Sequence, residues 1–261
     1  MNYNTDQWLI FNYPLGAGGK FLISCFFQFD NVAHWSGQQL NRQESVDWYI
    51  NSLPKNSEVW PSKEIDAPWV LPDISRAWPR GDDTTEEEFN SKITGIEEPW
   101  NKGLLIPDFW HKTTQPAWWT QAQFVSIYVD DMDLYKKLVF FKLFEFKNNT
   151  VICHDQRPDI GRPVNQIQKK KFQNQWLWEN VDSINEFYNN HIQQLPWYLG
   201  WDFKQIPTGD YIALSELFDN KLVYKFMLKF EERFNQPISK DYINSIHHAW
   251  KTATLEKINL L

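Results

Sequence analysis

Apolar positions along the chain fall into short runs separated by polar or Gly/Pro segments, and the first such break is the most informative. Residues 8–29, WLIFNYPLGAGGKFLISCFFQF, hold a short apolar run, a Pro/Gly break and a longer apolar run. Residues 8–11 suit a buried strand, residues 14–19 a loop with few side chains over its backbone N–H groups, and Lys20 the start of a helix. A helix N-terminus behind a glycine loop is a ready-made anion site. Farther on, Val46, Trp48, Tyr49 and Ile50 fit a helix over 41–51, closed by Pro54. Residues 124–129, FVSIYV, predict a second strand. The segment DDMDLYKKLVFFKLFEF after it predicts a helix, with Leu134, Leu138 and Phe141 on one stripe and Lys136, Lys137 and Lys142 facing water. The pattern then predicts a strand over 150–153, a polar basic loop over 157–171, a long helix over about 176–195 and a strand over 211–214. Helices over 217–234 and 239–258 close the chain. Strands alternating with helices predict an α/β fold, a three-layer sandwich with a central parallel sheet.

Between 54 and 119 this periodicity lapses. Prolines and tryptophans occur together there (Trp60-Pro61, Pro68-Trp69, Trp78-Pro79, Pro99-Trp100, Trp118-Trp119) around an acidic stretch at 81–98. So many rings need burial, so this segment reads as an insertion capping a cleft rather than a linker. The carboxylates of Glu86 to Glu88 read as a solvated face.

Composition narrows the classes. The 261 residues suit a single domain spanning 1–261, and 19 Phe, 15 Trp and 10 Tyr predict a core built from rings. A net charge of −7 argues against nucleic-acid or membrane-surface binding, which needs a Lys/Arg surplus, so any anion site is local. Cys25 and Cys153 both lie in apolar runs and give neither a disulfide framework nor a metal quartet. The N-terminus lacks a leader pattern, and no apolar run reaches the roughly 18 residues of a membrane span. A soluble cytoplasmic protein with no membrane partner is the expectation, while oligomeric state is not readable.

The glycine loop does not satisfy the Walker A pattern. Gly19-Lys20 is preceded by Pro14 where that pattern has its first glycine, and is followed by Phe21 instead of a hydroxyl. A glycine turn that only lets a strand and a helix pack closely is the plain structural alternative.

Tyr13-Pro14 and Gly18-Gly19-Lys20-Phe21-Leu22 resemble the phosphate loop of the sulfotransferase family, Tyr-Pro-Lys-Ser-Gly-Thr-Thr-Trp-Leu, with one extra residue. The segment LLIPDFWHKTTQPAWWTQAQFVSIYVDDMDLYKKLVFF is similar in spacing to the family's catalytic histidine, Leu-Pro segment, strand and helix, with His111 at the histidine. The likeness touches the first 30 residues and about 105–146 and 208–251; residues 54–100 have no counterpart. It implies a P-loop nucleotide-binding, sulfotransferase-like fold, with 3′-phosphoadenosine 5′-phosphosulfate as sulfuryl donor, a small-molecule or glycan hydroxyl as acceptor, and no metal. The donor's 5′ end falls to Pro14, Leu15, Gly16, Ala17, Gly18, Gly19, Lys20 and Phe21. Leu15 replaces the family's lysine, and Asp130-Asp131 stand where the family has the arginine for the 3′-phosphate. Two carboxylates repel a phosphate, so Arg157 and Arg162, with Lys169 to Lys171, are the nearest loop candidates for that role; solubility is the plain reading of the same loop.

Sulfuryl transfer to an alcohol needs a base for the hydroxyl and a cation for charge growing on the bridging oxygen. Histidine, with an unperturbed pKa of roughly 6.5, suits the first task and lysine the second. His111 is therefore the candidate base and Lys20 the electrophilic stabiliser. His247 and His248, adjacent on a predicted helix, point in different directions and read as packing residues rather than metal ligands. Two other classes remain open. FVSIYV followed by Asp130-Asp131 can be a Walker B strand of a divergent Mg²⁺-dependent kinase or NTPase. The chain can also be a non-catalytic P-loop module that binds a protein or glycan through its Trp/Pro segment.

Overall fold

A computed structural model describes residues 8–14, 16–35, 69–71, 87, 106–110, 123–147, 150–153, 161–163, 167–171, 175–179, 184–191, 201–259 and 261. The strands are β1 (Trp8–Asn12), β2 (Ala33–Trp35), β3 (Trp69–Leu71), β4 (Ile106–Trp110), β5 (Gln123–Tyr128) and β6 (Phe144–Lys147), then β7 (Thr150–Cys153), β8 (Gly161–Pro163), β9 (Ile167–Lys171), β10 (Gln175–Glu179) and β11 (Asp210–Ala213). The helices are α1 (Gly19–Phe26), α2 (Met132–Leu143), α3 (Ile184–His191), α4 (Asn220–Leu228), α5 (Glu231–Phe234) and α6 (Lys240–Ile258), with a 3-10 turn at Ser215–Phe218 before α4.

β1, β4, β5 and β11 form a parallel sheet in the order β11-β5-β1-β4, flanked by helices, which is the α/β arrangement that the alternation predicts. Asn12, at the end of β1, lies in register with Trp110 of β4 on one side and Ser126 of β5 on the other. β4 falls inside the 54–119 stretch, so that stretch supplies a strand of the central sheet as well as whatever else it does. It is an outer strand of this sheet, which suits Pro107, a residue with no N–H for an inner ladder.

Rings build the core. Phe11 of β1 meets Phe26 of α1 edge-on at 5.1 Å, Phe26 meets Phe230 at 4.8 Å, and Phe29 stacks on Phe234 at 4.1 Å. α6 packs along α1: Tyr242 Oη donates to the Ser24 carbonyl at 2.8 Å, and burial pushes that phenol's pKa up. Ser239 caps α6 by accepting the Tyr242 N–H, and Asp219 caps α4 by accepting from Lys221. Gln236 bridges back to the segment after α1 by donating to the Gln28 carbonyl and accepting the Asp30 N–H, both at 2.8 Å.

Several expectations are corrected. The helix over about 176–195 is not formed as such: Gln175–Glu179 is a strand, paired antiparallel with β9, and only Ile184–His191 is helical. Trp176 and Trp178 are of a residue type that favours a pleated surface, and the antiparallel pairing with β9 fixes the strand. The basic stretch 157–171 contains β8 and β9 rather than a continuous loop. β7 is a strand as expected, but it lies between β6 and β8 in a separate antiparallel sheet. The single helix over 217–234 is three pieces, divided where Asp219 takes an extended conformation and caps α4 and where the chain turns at Phe230. The helix over 41–51 lies outside the described residues.

Candidate functional site

In a parallel sheet, ligands bind beyond the C-terminal ends of the strands, at the point where the strand order reverses direction. Here that point is β1, whose next partner in sequence, β4, lies on one side while β5 and β11 lie on the other. The segment leaving β1 there is the glycine loop.

Its conformation explains its glycines. Gly16 has φ 90° and Gly18 φ 81°, the left-handed region that glycine enters without penalty. The Pro14 carbonyl accepts the Ala17 N–H at 3.1 Å, closing a turn, and the Gly18 carbonyl accepts the Leu22 N–H at 3.2 Å, the first bond of α1. Gly18 is the N-cap; it has no side chain to satisfy the first-turn amides, and the first turn contains no acidic residue. Lys20 is the second residue of α1, half-buried, with its carbonyl accepting Ser24 Oγ at 2.9 Å.

Neighbouring side chains fill the space beside all three glycines. A Cβ on Gly16 would stand 2.8 Å from Val139 Cγ2 of α2, one on Gly18 would stand 3.2 Å from both Leu217 and Trp250, and one on Gly19 would clash with the ring of Tyr13. Phe21 is fully buried and stacks on Trp250 at 4.4 Å and 10°, with His247 edge-on at 5.8 Å. Phe21 is therefore a core residue whose side chain belongs to the α1–α6 contact. The close-packing role of the glycines is thus visible in the geometry, and any anion contact falls to backbone N–H groups and Lys20.

The strand end beside the loop has different chemistry. Asp130, following β5, accepts from both the N–H and the Oγ of Ser215, so it ties β5 to the 3-10 turn after β11. Asp131 accepts the Leu134 N–H at 2.9 Å and caps α2. Both carboxylates are exposed. Their fit to the expected donor divides in two: the α1 N-terminus suits one anionic group, whereas the Asp130-Asp131 corner does not suit a second phosphate.

The remaining candidates are dispersed. His111 is the residue after Trp110, where β4 ends in register with Asn12, and it lies outside the described residues, as do Leu15 and Arg157. Arg162 is in β8, opposite Val151, in the antiparallel sheet rather than the central one. Lys169 to Lys171 are in β9, opposite Leu177, Trp176 and Gln175. His247 is buried and bonded to the Leu217 carbonyl, in agreement with a packing role, whereas His248 is exposed and does not share it; the two point in different directions, as expected. Tyr13 belongs to the Tyr-Pro pair that opens the loop in sequence, whereas Leu217 and Trp250, which also pack against it, carry no local sequence signal for that contact.

Among the described residues no group of three or more His, Cys, Asp and Glu could hold a metal ion, and no helix is long and apolar enough to cross a membrane. No family model, curated protein or solved structure matches the chain.

Proposed function

We propose that the chain is a sulfotransferase-like enzyme of P-loop type, a three-layer α/β domain in which the 14–21 loop receives the 5′ anionic end of a nucleotide donor. The observation that carries this reading is the position of the loop: a glycine N-cap without a side-chain cap, followed by Lys20, at the strand where the sheet order reverses. Amide dipoles and the Lys20 ammonium both favour negative charge there. The resemblance assigns the acceptor's proton to His111, and the chain reaches that residue directly from the end of β4, beside β1. The donor implied is 3′-phosphoadenosine 5′-phosphosulfate, which supplies the sulfuryl group, and the acceptor is a small-molecule or glycan hydroxyl. Asp130-Asp131 leave the 3′-phosphate without a partner at the β5 end, so its contacts fall to residues elsewhere. A cytoplasmic location and a site without metal belong to the same proposal.

One observation favours a second reading. The side chains packed against Gly16, Gly18 and Gly19 account for those glycines without any ligand, as a non-catalytic module would require. Thermal shift with adenosine 3′,5′-bisphosphate, adenosine monophosphate and ATP with Mg²⁺ separates the possibilities. At a hundred times its dissociation constant, a ligand of the native state raises the melting temperature by about 5 °C for a chain of this size. A shift from the bisphosphate that is lost in Lys20→Ala supports the transferase. A shift from ATP with Mg²⁺ alone supports the kinase reading, and no shift from any of the three supports the module.

A further inference from the structure

Behind the glycine loop lies a buried titratable group that the proposed chemistry does not use. His247 is 4% exposed, and its Nε2 is 3.0 Å from the Leu217 carbonyl. A carbonyl only accepts, so Nε2 carries the hydrogen and Nδ1 is the position open to a second proton. Leu217 sits in the middle of the 3-10 turn, and its side chain, with that of Trp250, is packed against Gly18. The same turn is held by Lys251 Nζ, donating to the Phe218 carbonyl at 2.6 Å, and by Asp130, which binds its first residue. The buried imidazole, with Lys251 one turn farther on, thus joins α6 to the turn that backs the loop's N-cap glycine.

We propose that His247 is a proton-sensitive latch: in its neutral form it holds the 3-10 turn against the glycine loop, and protonation releases the turn and loosens the loop.

The surroundings of the ring support this. On its own helix it faces the Lys251 ammonium and His248; across the contact, Asp219 contributes a carboxylate that already caps α4. α1 presents Phe21, and the only charged side chain on that helix is Lys20. A second cation here lies among Phe21 and Trp250 and next to Lys251. Burial is the main cause holding the His247 pKa below the ordinary imidazole value, with Lys251 and His248 acting in the same direction and the Leu217 carbonyl and Asp219 opposing. The folded form therefore resists the proton. The contribution of His247 to the closed state is complete above the ordinary value of about 6.5 and is lost as pH falls from there toward the lower folded value. The charge is relieved when the imidazole swings to water, and that movement gives up the Leu217 bond.

Hydrogen–deuterium exchange of the full chain tests the latch. After correction for intrinsic rates, peptides covering 16–22 and 214–218 should exchange faster at pH 5.5 than at pH 7.5, by up to about tenfold, the limit set by pH 5.5 lying about one unit below the ordinary imidazole value. Peptides covering α5 and the start of α6 should keep their protection, which separates local opening from global unfolding. His247→Gln keeps an N–H for the Leu217 carbonyl but takes no proton, so it should be equally protected at both pH values. Equal protection of wild-type loop and turn at the two pH values overturns the proposal, as does an undiminished acid response in His247→Gln. If that variant does not fold, the wild-type midpoint decides: opening centred above about pH 7 or below about pH 3 excludes an imidazole of lowered pKa.

Discussion

Two strand-to-helix junctions stand side by side at the C-terminal edge of the parallel sheet, and they end their helices with opposite chemistry. At β1–α1 the cap is Gly18, which makes no side-chain cap bond; the first turn holds no acid and contains Lys20. At β5–α2 Asp131 caps Leu134, Asp133 lies in the first turn, and Asp130 holds the neighbouring 3-10 turn. The second junction neutralises its own helix dipole with carboxylates; the first has neither a capping side chain on Gly18 nor an acid in its first turn to do so. Burial follows the same division. The loop lies among Tyr13, Val139, Leu217 and Trp250, whereas Asp130 and Asp131 are exposed. An anion therefore has one favourable address at this edge, and a donor with anionic groups at both ends meets attraction at one junction and repulsion at the next.

The largest effect expected from disturbing this contrast is at the glycine junction. Gly19→Ala places a methyl in steric clash with the Tyr13 ring, and that residue is only 6% exposed, with little room to move. Overpacking of this kind should cost about 3 kcal/mol in urea unfolding. Tyr13→Ala should also destabilise the protein, by leaving a cavity, but Gly19→Ala introduced into it should cost much less than in the wild type. Additivity of the two changes would show that the glycine answers some demand other than the tyrosine.

Much of the edge was legible in the sequence, and the parts that were not have identifiable causes. β1, α1, β5, β11 and α6 appear within a residue or two of their expected bounds, because each combines a strong apolar run with a clear punctuator such as Pro14, Asp131 or Ser239. The 175–179 strand differs from the expected helix because Trp and Leu at close spacing satisfy a helical window as readily as a strand, and only its pairing with β9 decides between them. The split of 217–234 depends on Asp219 acting as a cap, a local competition that apolar periodicity does not register. The loop was legible as a turn with spare backbone donors. Its contact with Trp250, more than two hundred residues away in sequence, was not, since nothing local specifies which ring fills the space beside Gly18.

At the acidic junction the effects should be smaller. Asp130→Ala removes both bonds to Ser215, one to its amide and one to its hydroxyl, and should cost about 1.5 kcal/mol, the low end for bonds to a charged acceptor because the pair is exposed. Hydrogen exchange should localise the loss to the 3-10 turn rather than to α2. Asn at the same position keeps one acceptor and should recover part of the loss.

The smallest change gives the sharpest test of what the carboxylates do. Asp131→Ala removes the cap of α2 and should cost about 1 kcal/mol. Asp131→Asn keeps an oxygen for the Leu134 amide and should cost only a few tenths of that, on the order of 0.3 kcal/mol. Stability therefore separates the cap from the charge, since the two variants lose the same charge and only one loses the cap. If the charge at this corner is also what disfavours a second phosphate, Asp131→Asn should strengthen binding of adenosine 3′,5′-bisphosphate while leaving adenosine monophosphate unchanged. Screening limits the gain to a few-fold, and raising the salt concentration should shrink it, because an exposed carboxylate acts across water. An equal gain for both nucleotides would place the repulsion at the 5′ group instead, and would mean that the two junctions share one field rather than opposing each other.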